Sequence, residues 1–122
     1  MQNFKDRKNI NNSGYPVIDY VHLDEIAKDL ITAIKEMKMV SFMYDGHHRV
    51  LEPHTFGIFS NGKLILIGWQ TDGTSERGGI PAWRQFSPYK IGSFKTLPKS
   101  FSKAREGYNP EDDRFKEILA KV

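Results

Sequence analysis

VSFMYDGHHRVLEPHTFGIFSNGKLILIGWQ, residues 40–70, is the stretch on which the fold turns. Val40, Phe42 and Tyr44 alternate with Ser41 and Met43, the two-residue period of a half-buried strand. Asp45-Gly46 then supplies two residues that tolerate positive φ, as a type I′ hairpin turn requires, and His47 to Glu52 returns as a second strand. Pro53 has no N–H to offer a ladder and is expected to end that strand. Thr55 to Phe59 reads as a third strand, Asn61-Gly62 as a second tight turn, and KLILIGWQ (63–70) as a fourth, strongly apolar strand. Two hairpins in tandem imply an antiparallel meander.

Upstream, Leu23, Ile26, Ala27, Leu30, Ile31, Ile34 and Met37 recur at steps of three and four, which predicts an amphipathic helix from Leu23 to Lys38. Asp24 and Glu25 in its first turn and Lys35 and Lys38 in its last would match the helix dipole. Residues 1–22, polar at their start (MQNFKDRKNINNSG), read as a flexible N-terminal arm ahead of a single domain over 23–122. Downstream, TDGTSERGGIPA (71–82) reads as a mobile loop, Ala82 to Ser87 as a short strand interrupted by Pro88, and Ile91 to Leu97 as another strand. Asn109-Pro110-Glu111-Asp112-Asp113 has the composition of a helix start, and Phe115, Ile118, Leu119 and Val122 follow at helical spacing, so a C-terminal helix is expected. The whole predicts an α+β, mainly β fold: a small, strongly bent antiparallel barrel of five to six strands with a helix at each end.

The 122 residues suffice for one core and no second. No stretch approaches the ~20 consecutive apolar residues of a membrane-spanning helix, and the mean hydropathy is -0.54. Residues 1–8 lack the apolar core of a secretory signal, so the expected location is cytoplasmic. The absence of cysteine removes disulfides, thiolate nucleophiles and cysteine-bound zinc. A net charge of +3 is modest, but between Glu76 and Glu106 stand Arg77, Arg84, Lys90, Lys95, Lys99, Lys103 and Arg105 with no carboxylate among them. Clustered cations favour an anionic partner, since they release the counterions held around phosphates. Trp69, Trp83, Phe86, Tyr89 and Phe94 are interleaved with Arg84, Lys90 and Lys95, offering flat surfaces for bases beside cations for phosphates.

Four strings in this order, AIKEMKMVSFMYDG, HHRVLEPHTFGI, SNGKLILIGWQ and AWRQFSPYKIGSF, resemble the WYL domain family, bacterial Sm-like β-barrels found on DNA-binding regulators and beside phage-defence systems. The resemblance runs from about Leu30 to Leu97. Val40, Phe42 and Tyr44 match the opening Val-x-Phe-x-Tyr, and Arg49, Leu51 and Pro53 the Arg-x-Leu/Val-x-Pro element. The naming Trp-Tyr-Leu triplet falls on Leu64, Ile65 and Leu66, and the closing element keeps Arg84, Phe86, the basic Lys90 and Ile91. The resemblance implies an Sm-like barrel that senses a nucleic acid or a negatively charged small ligand through Tyr44, Arg49, His54, Arg84 and Lys90, to which the aromatic pattern adds Trp69. It implies no cofactor and no catalysis, single-stranded nucleic acid or a small anion as partner, and a separate protein through which transcription or defence would be regulated.

The alternative from another class is a structural module in which the terminal helix and an open barrel edge form a homodimer. A hydrolase would need a base with its orienting acid near a nucleophile, for example His54 with Glu52 or Asp45 and Ser41 or Ser60, and no spacing singles these out. Adjacent His47 and His48 point to opposite faces of a strand, which speaks against a shared metal.

Overall fold

The computed structural model describes residues 20–122; the expected arm over 1–22 lies, as far as residue 19, outside the described residues. Tyr20, Val21 and His22 belong to the first helix, α1 (Tyr20–Lys35), which buries Ile26, Leu30, Ala33 and Ile34 on one face. The helix thus begins three residues before the predicted start, and its first turn holds no acidic residue. It also stops earlier than the apolar spacing suggested. Met37 adopts φ 52°, the left-handed conformation that closes a helix, and Lys38 opens strand β1 (Lys38–Tyr44).

Five further strands follow: β2 (His47–Phe59), β3 (Leu64–Gly73), β4 (Ala82–Phe86), β5 (Gly92–Ser100) and β6 (Phe115–Lys121). A single 3-10 turn, Pro88–Lys90, joins β4 to β5. Asp45 (φ 52°) and Gly46 (φ 77°) make the hairpin turn as the sequence predicts, and Val40 pairs Leu51 across it. Pro53 does not end its strand. It sits where β2 bulges against β3 and where its partner on the other side changes from β1, which pairs up to Leu51, to β6, which begins at Thr55. A residue without an N–H is tolerated at such a point, so the predicted second and third strands are one bent strand.

β6 replaces the expected C-terminal helix. Its seven residues are too few for apolar spacing to separate helix from strand, and the apparent helix start makes turns instead: Asn109 Oδ1 accepts the Glu111 N–H at 3.1 Å and Asp112 Oδ1 the Arg114 N–H at 3.1 Å. What decides is the unpaired second half of β2, which β6 covers from Thr55 to Phe59. Gly57 permits this close approach, because a Cβ there would stand 2.3 Å from the Glu117 carbonyl oxygen.

The strands form one six-stranded antiparallel sheet in the order β4-β3-β2-β1-β5, with β6 on the second half of β2; the sheet is not closed. Its concave face and α1 enclose a core of Leu30, Ile34, Val40, Phe42, Leu51, Phe56, Leu66 and Phe86. The other face is covered by residues 101–114, the connection from β5 to β6. Trp83 Nε1–H donates to the Glu106 carbonyl at 3.2 Å, and His54 packs against Phe101 and Tyr108. Trp83 therefore lies under this strap. Among the described residues no helix is long and apolar enough to cross a membrane.

Candidate functional site

Alternation along β2 and β3 sorts the polar side chains between the two faces. Arg49 shares the core side with Leu51, and Gln70, which pairs Leu51 across the ladder, lies on the same side at the same end. On β4, Arg84 pairs Gly68, two positions from Gln70, which brings it towards Arg49 although 35 positions separate them in the chain. These side chains meet in a cleft of about 410 Å³ between the β1–β2 turn, the loop over 74–81 and strand β4. Tyr44, Asp45, Arg49, Ser75, Glu76, Arg77, Trp83, Arg84, Gln85 and Phe86 line it.

Arg49 is the most constrained of these groups. It is only 5% exposed; its Nη1 donates to Gln70 Oε1 at 3.2 Å and its Nη2 to the Tyr44 carbonyl at 3.2 Å. Its guanidinium carbon lies 5.6 Å from the ring centroids of both Tyr44 and Phe86, so two aromatic faces share the charge. All these partners are neutral. Burial, and after it the like charge of Arg84, pull Arg49 below the ordinary guanidinium range. Gln70 completes the support: fully buried, it donates through Nε2 to the carbonyls of Asp72 at 3.0 Å and Thr74 at 3.1 Å.

Arg84 belongs to the loop as much as to the strand. Its Nη2 donates to Ser75 Oγ at 3.2 Å and to the carbonyls of Gly78 and Gly79. The Nε atoms of Arg49 and Arg84 are both buried and have no hydrogen-bond acceptor. A buried donor left unmatched costs about 1–3 kcal/mol, and both of these donors belong to arginines that line the cleft.

Lys90 stands at the edge of this arrangement. Its Nζ lies 4.8 Å from the Tyr44 ring centroid and 2.9 Å from Asp45 Oδ1, and that hydrogen bond raises it above the ordinary lysine range. Tyr44 is fixed from the other side, its hydroxyl oxygen accepting the Ser87 N–H at 3.0 Å. Of the predicted site residues the structure therefore brings together Tyr44, Arg49, Arg84 and Lys90.

His54 and Trp69 are not with them; they lie under the strap on the opposite face. His54 is fully buried, its Nδ1–H donates to the Glu52 carbonyl at 2.8 Å, and its Nε2 accepts the Arg105 N–H at 3.1 Å. Both nitrogens are thus engaged and burial lowers the imidazole below its ordinary range, so the ring is a neutral structural group. The Glu52 carboxylate does not orient it. That carboxylate binds Arg105, Oε1 to Nε at 2.7 Å and Oε2 to Nη2 at 2.9 Å. Trp69 packs edge-on against Trp83, with the Arg105 guanidinium 5.9 Å from its ring centroid.

The basic run of the sequence does not act as one patch either. Arg77 and Arg84 line the cleft, Lys90 is held by Asp45, and Arg105 is neutralised by Glu52 on the other face. Asp45, Gln70, Ser75, Glu76 and Arg77 are among the participants that the sequence reading did not select. For Gln70 there was a signal: an uncharged amide closing the apolar run LILIGW must be buried with it and must find partners. The chain matches no protein-family model, no curated protein and no solved structure.

Proposed function

We propose that this chain is a noncatalytic binding module for a negatively charged ligand, a nucleic acid or a small anion, and that Arg49 and Arg84 receive the charge. The observation that carries this reading is the pair of guanidiniums in one cleft, one of them buried among neutral partners, each with a buried Nε–H that has no acceptor. An entering phosphate or carboxylate would offset the like charges of Arg49 and Arg84, and a turn of either side chain would bring its Nε–H to an acceptor.

The WYL-like reading would place its anion in the same cleft. Tyr44, Arg49, Arg84 and Lys90, four of the positions that the resemblance singles out, lie in or beside this cleft. The strand order, with β5 returning to pair β1 behind a leading helix, is the order that a bent Sm-like barrel needs, although here the sheet stays open. A module of this kind would report an anion to a partner protein. The dimerisation alternative loses its terminal helix, since that segment is β6 paired with β2, and keeps the open sheet edges.

Binding of a fluorescent single-stranded oligonucleotide with a free 5′-phosphate over a salt series tests the proposal, with the parent set against an Arg84→Ala, Lys90→Ala double substitution. Salt-sensitive binding that the double substitution removes is the expected result. Failure of the parent to bind any oligonucleotide, nucleotide or inorganic phosphate at low salt overturns it.

A further inference from the structure

Resting on that reading, we propose that the cleft takes a terminal phosphate monoester, such as a nucleoside monophosphate or a 5′-phosphorylated strand end carries, and not the interior phosphodiesters of a strand. The unmatched donors are recessed. The Nε atoms of Arg49 and Arg84 each expose less than 1 Å². Neither is open to solvent, so a group reaches them only as the arginine side chains turn towards it, and it must lead with free oxygens. A monoester presents three on a single tether, whereas a phosphodiester is tethered on both sides and presents two.

Charge points the same way. Three arginines, Arg49, Arg77 and Arg84, line the cleft, and a monoester carries a charge of about -1.5 to -2 at neutral pH, against -1 for a diester. The walls are not a cationic track, because Asp45 and Glu76 line the same cleft. Strand-binding grooves follow a backbone with continuous positive charge, and two carboxylates would repel the neighbouring phosphates. Towards a single nucleotide they act differently, as acceptors for ribose hydroxyls or base amino groups. The volume of about 410 Å³ lies in the lower part of the range for small-molecule sites. Arg84 also ties the phosphate to the loop over 74–81, since its Nη2 already holds Ser75.

The test is calorimetric titration of the full chain with adenosine 5′-monophosphate, adenosine, inorganic phosphate, and one short oligodeoxyadenylate with and without a 5′-phosphate. The monophosphate and the phosphorylated strand are expected to bind and compete, with adenosine and the unphosphorylated strand at least about tenfold weaker. Arg84→Gln is expected to weaken the monophosphate at least about tenfold, while Lys103→Gln, on an exposed lysine of the same basic run, leaves it unchanged. If the unphosphorylated strand binds as well as the phosphorylated one, the terminal-phosphate inference falls and the anion-binding reading stands. If no phosphate compound binds at about 50 mM salt, both fall.

Discussion

His54 and Arg105 are joined ring to backbone: the imidazole Nε2 accepts the Arg105 N–H at 3.1 Å, while Nδ1–H donates to the Glu52 carbonyl at 2.8 Å. Arg105 then turns its side chain back to grip the Glu52 carboxylate. The strap over the outer face is thus held by an imidazole that must stay neutral. A proton on Nε2 would face the Arg105 N–H with no acceptor between them.

This fixes a pH dependence and its sign. Burial lowers His54 from its ordinary value of 6.5, so below that pH the unfolded chain binds a proton that the folded chain refuses. The contribution of His54 is therefore complete above about pH 6.5 and is lost as pH falls from there towards the folded value. Urea unfolding between pH 8 and pH 5 is expected to show a declining midpoint below about pH 6.5. His54→Gln removes that part of the slope. Equal slopes in parent and variant would mean that His54 titrates freely in the fold.

Gly57→Ala tests the placement of the C-terminal segment. The new methyl group would stand 2.3 Å from the Glu117 carbonyl oxygen and 2.9 Å from Phe115 Cδ1, so β6 must shift to admit it. A loss of about 1–3 kcal/mol is expected, with faster amide exchange in residues 115–121 than in β1. A helix over the same residues would have no such dependence on Gly57, and an unchanged stability would point to it.

What was legible in the sequence was local. Asp45-Gly46 fixes a hairpin by its own backbone preferences, and the register of Val40 to Tyr44 on His47 to Leu51 follows from that turn. Pro53 was misread because its meaning depends on a bulge and on a change of neighbour, neither of which is encoded nearby. The C-terminal helix was misread because Phe115, Ile118, Leu119 and Val122 keep helical spacing over a segment too short for spacing to exclude a strand, and the open half of β2 decides between them. The site divides in the same way. Tyr44, Arg49 and Arg84 were named through resemblance and do meet, whereas His54 and Trp69 lie on the other face, as Trp69 must once its neighbour Gln70 points to the core side.

Gln70 separates support from charge. Gln70→Leu would strip Arg49 Nη1 of its acceptor and leave the Asp72 and Thr74 carbonyls without their donor, a loss of about 1–3 kcal/mol in thermal or urea unfolding. Gln70→Glu would instead set a carboxylate 3.2 Å from the same Nη1. An internal anion competes with an external one, so affinity for phosphate is expected to fall at least about tenfold in Gln70→Glu, read by calorimetry. Unchanged affinity there would show that the anion does not approach Arg49.

Arg84→Gln is expected to part stability from binding. In the free protein Arg84 brings a second positive charge towards a buried one, and its Nε–H has no acceptor. Against this stands its hold on Ser75, Gly78 and Gly79, contacts on a half-exposed loop. The two effects oppose each other, so the unliganded variant should unfold within about 1 kcal/mol of the parent. Phosphate changes the balance. At ten times its dissociation constant a ligand bound only by the folded state adds about 1.4 kcal/mol, and each kcal/mol raises the melting temperature by about 4–8 °C in a domain of roughly this size. Phosphate also stabilises folded proteins in general through exclusion from their surface, and that part is common to both proteins. The quantity to read is therefore the parent's shift minus the variant's at equal phosphate. A positive difference that saturates with concentration is the expected result. Parallel, unsaturating shifts would show that phosphate acts on this protein as a bulk salt alone.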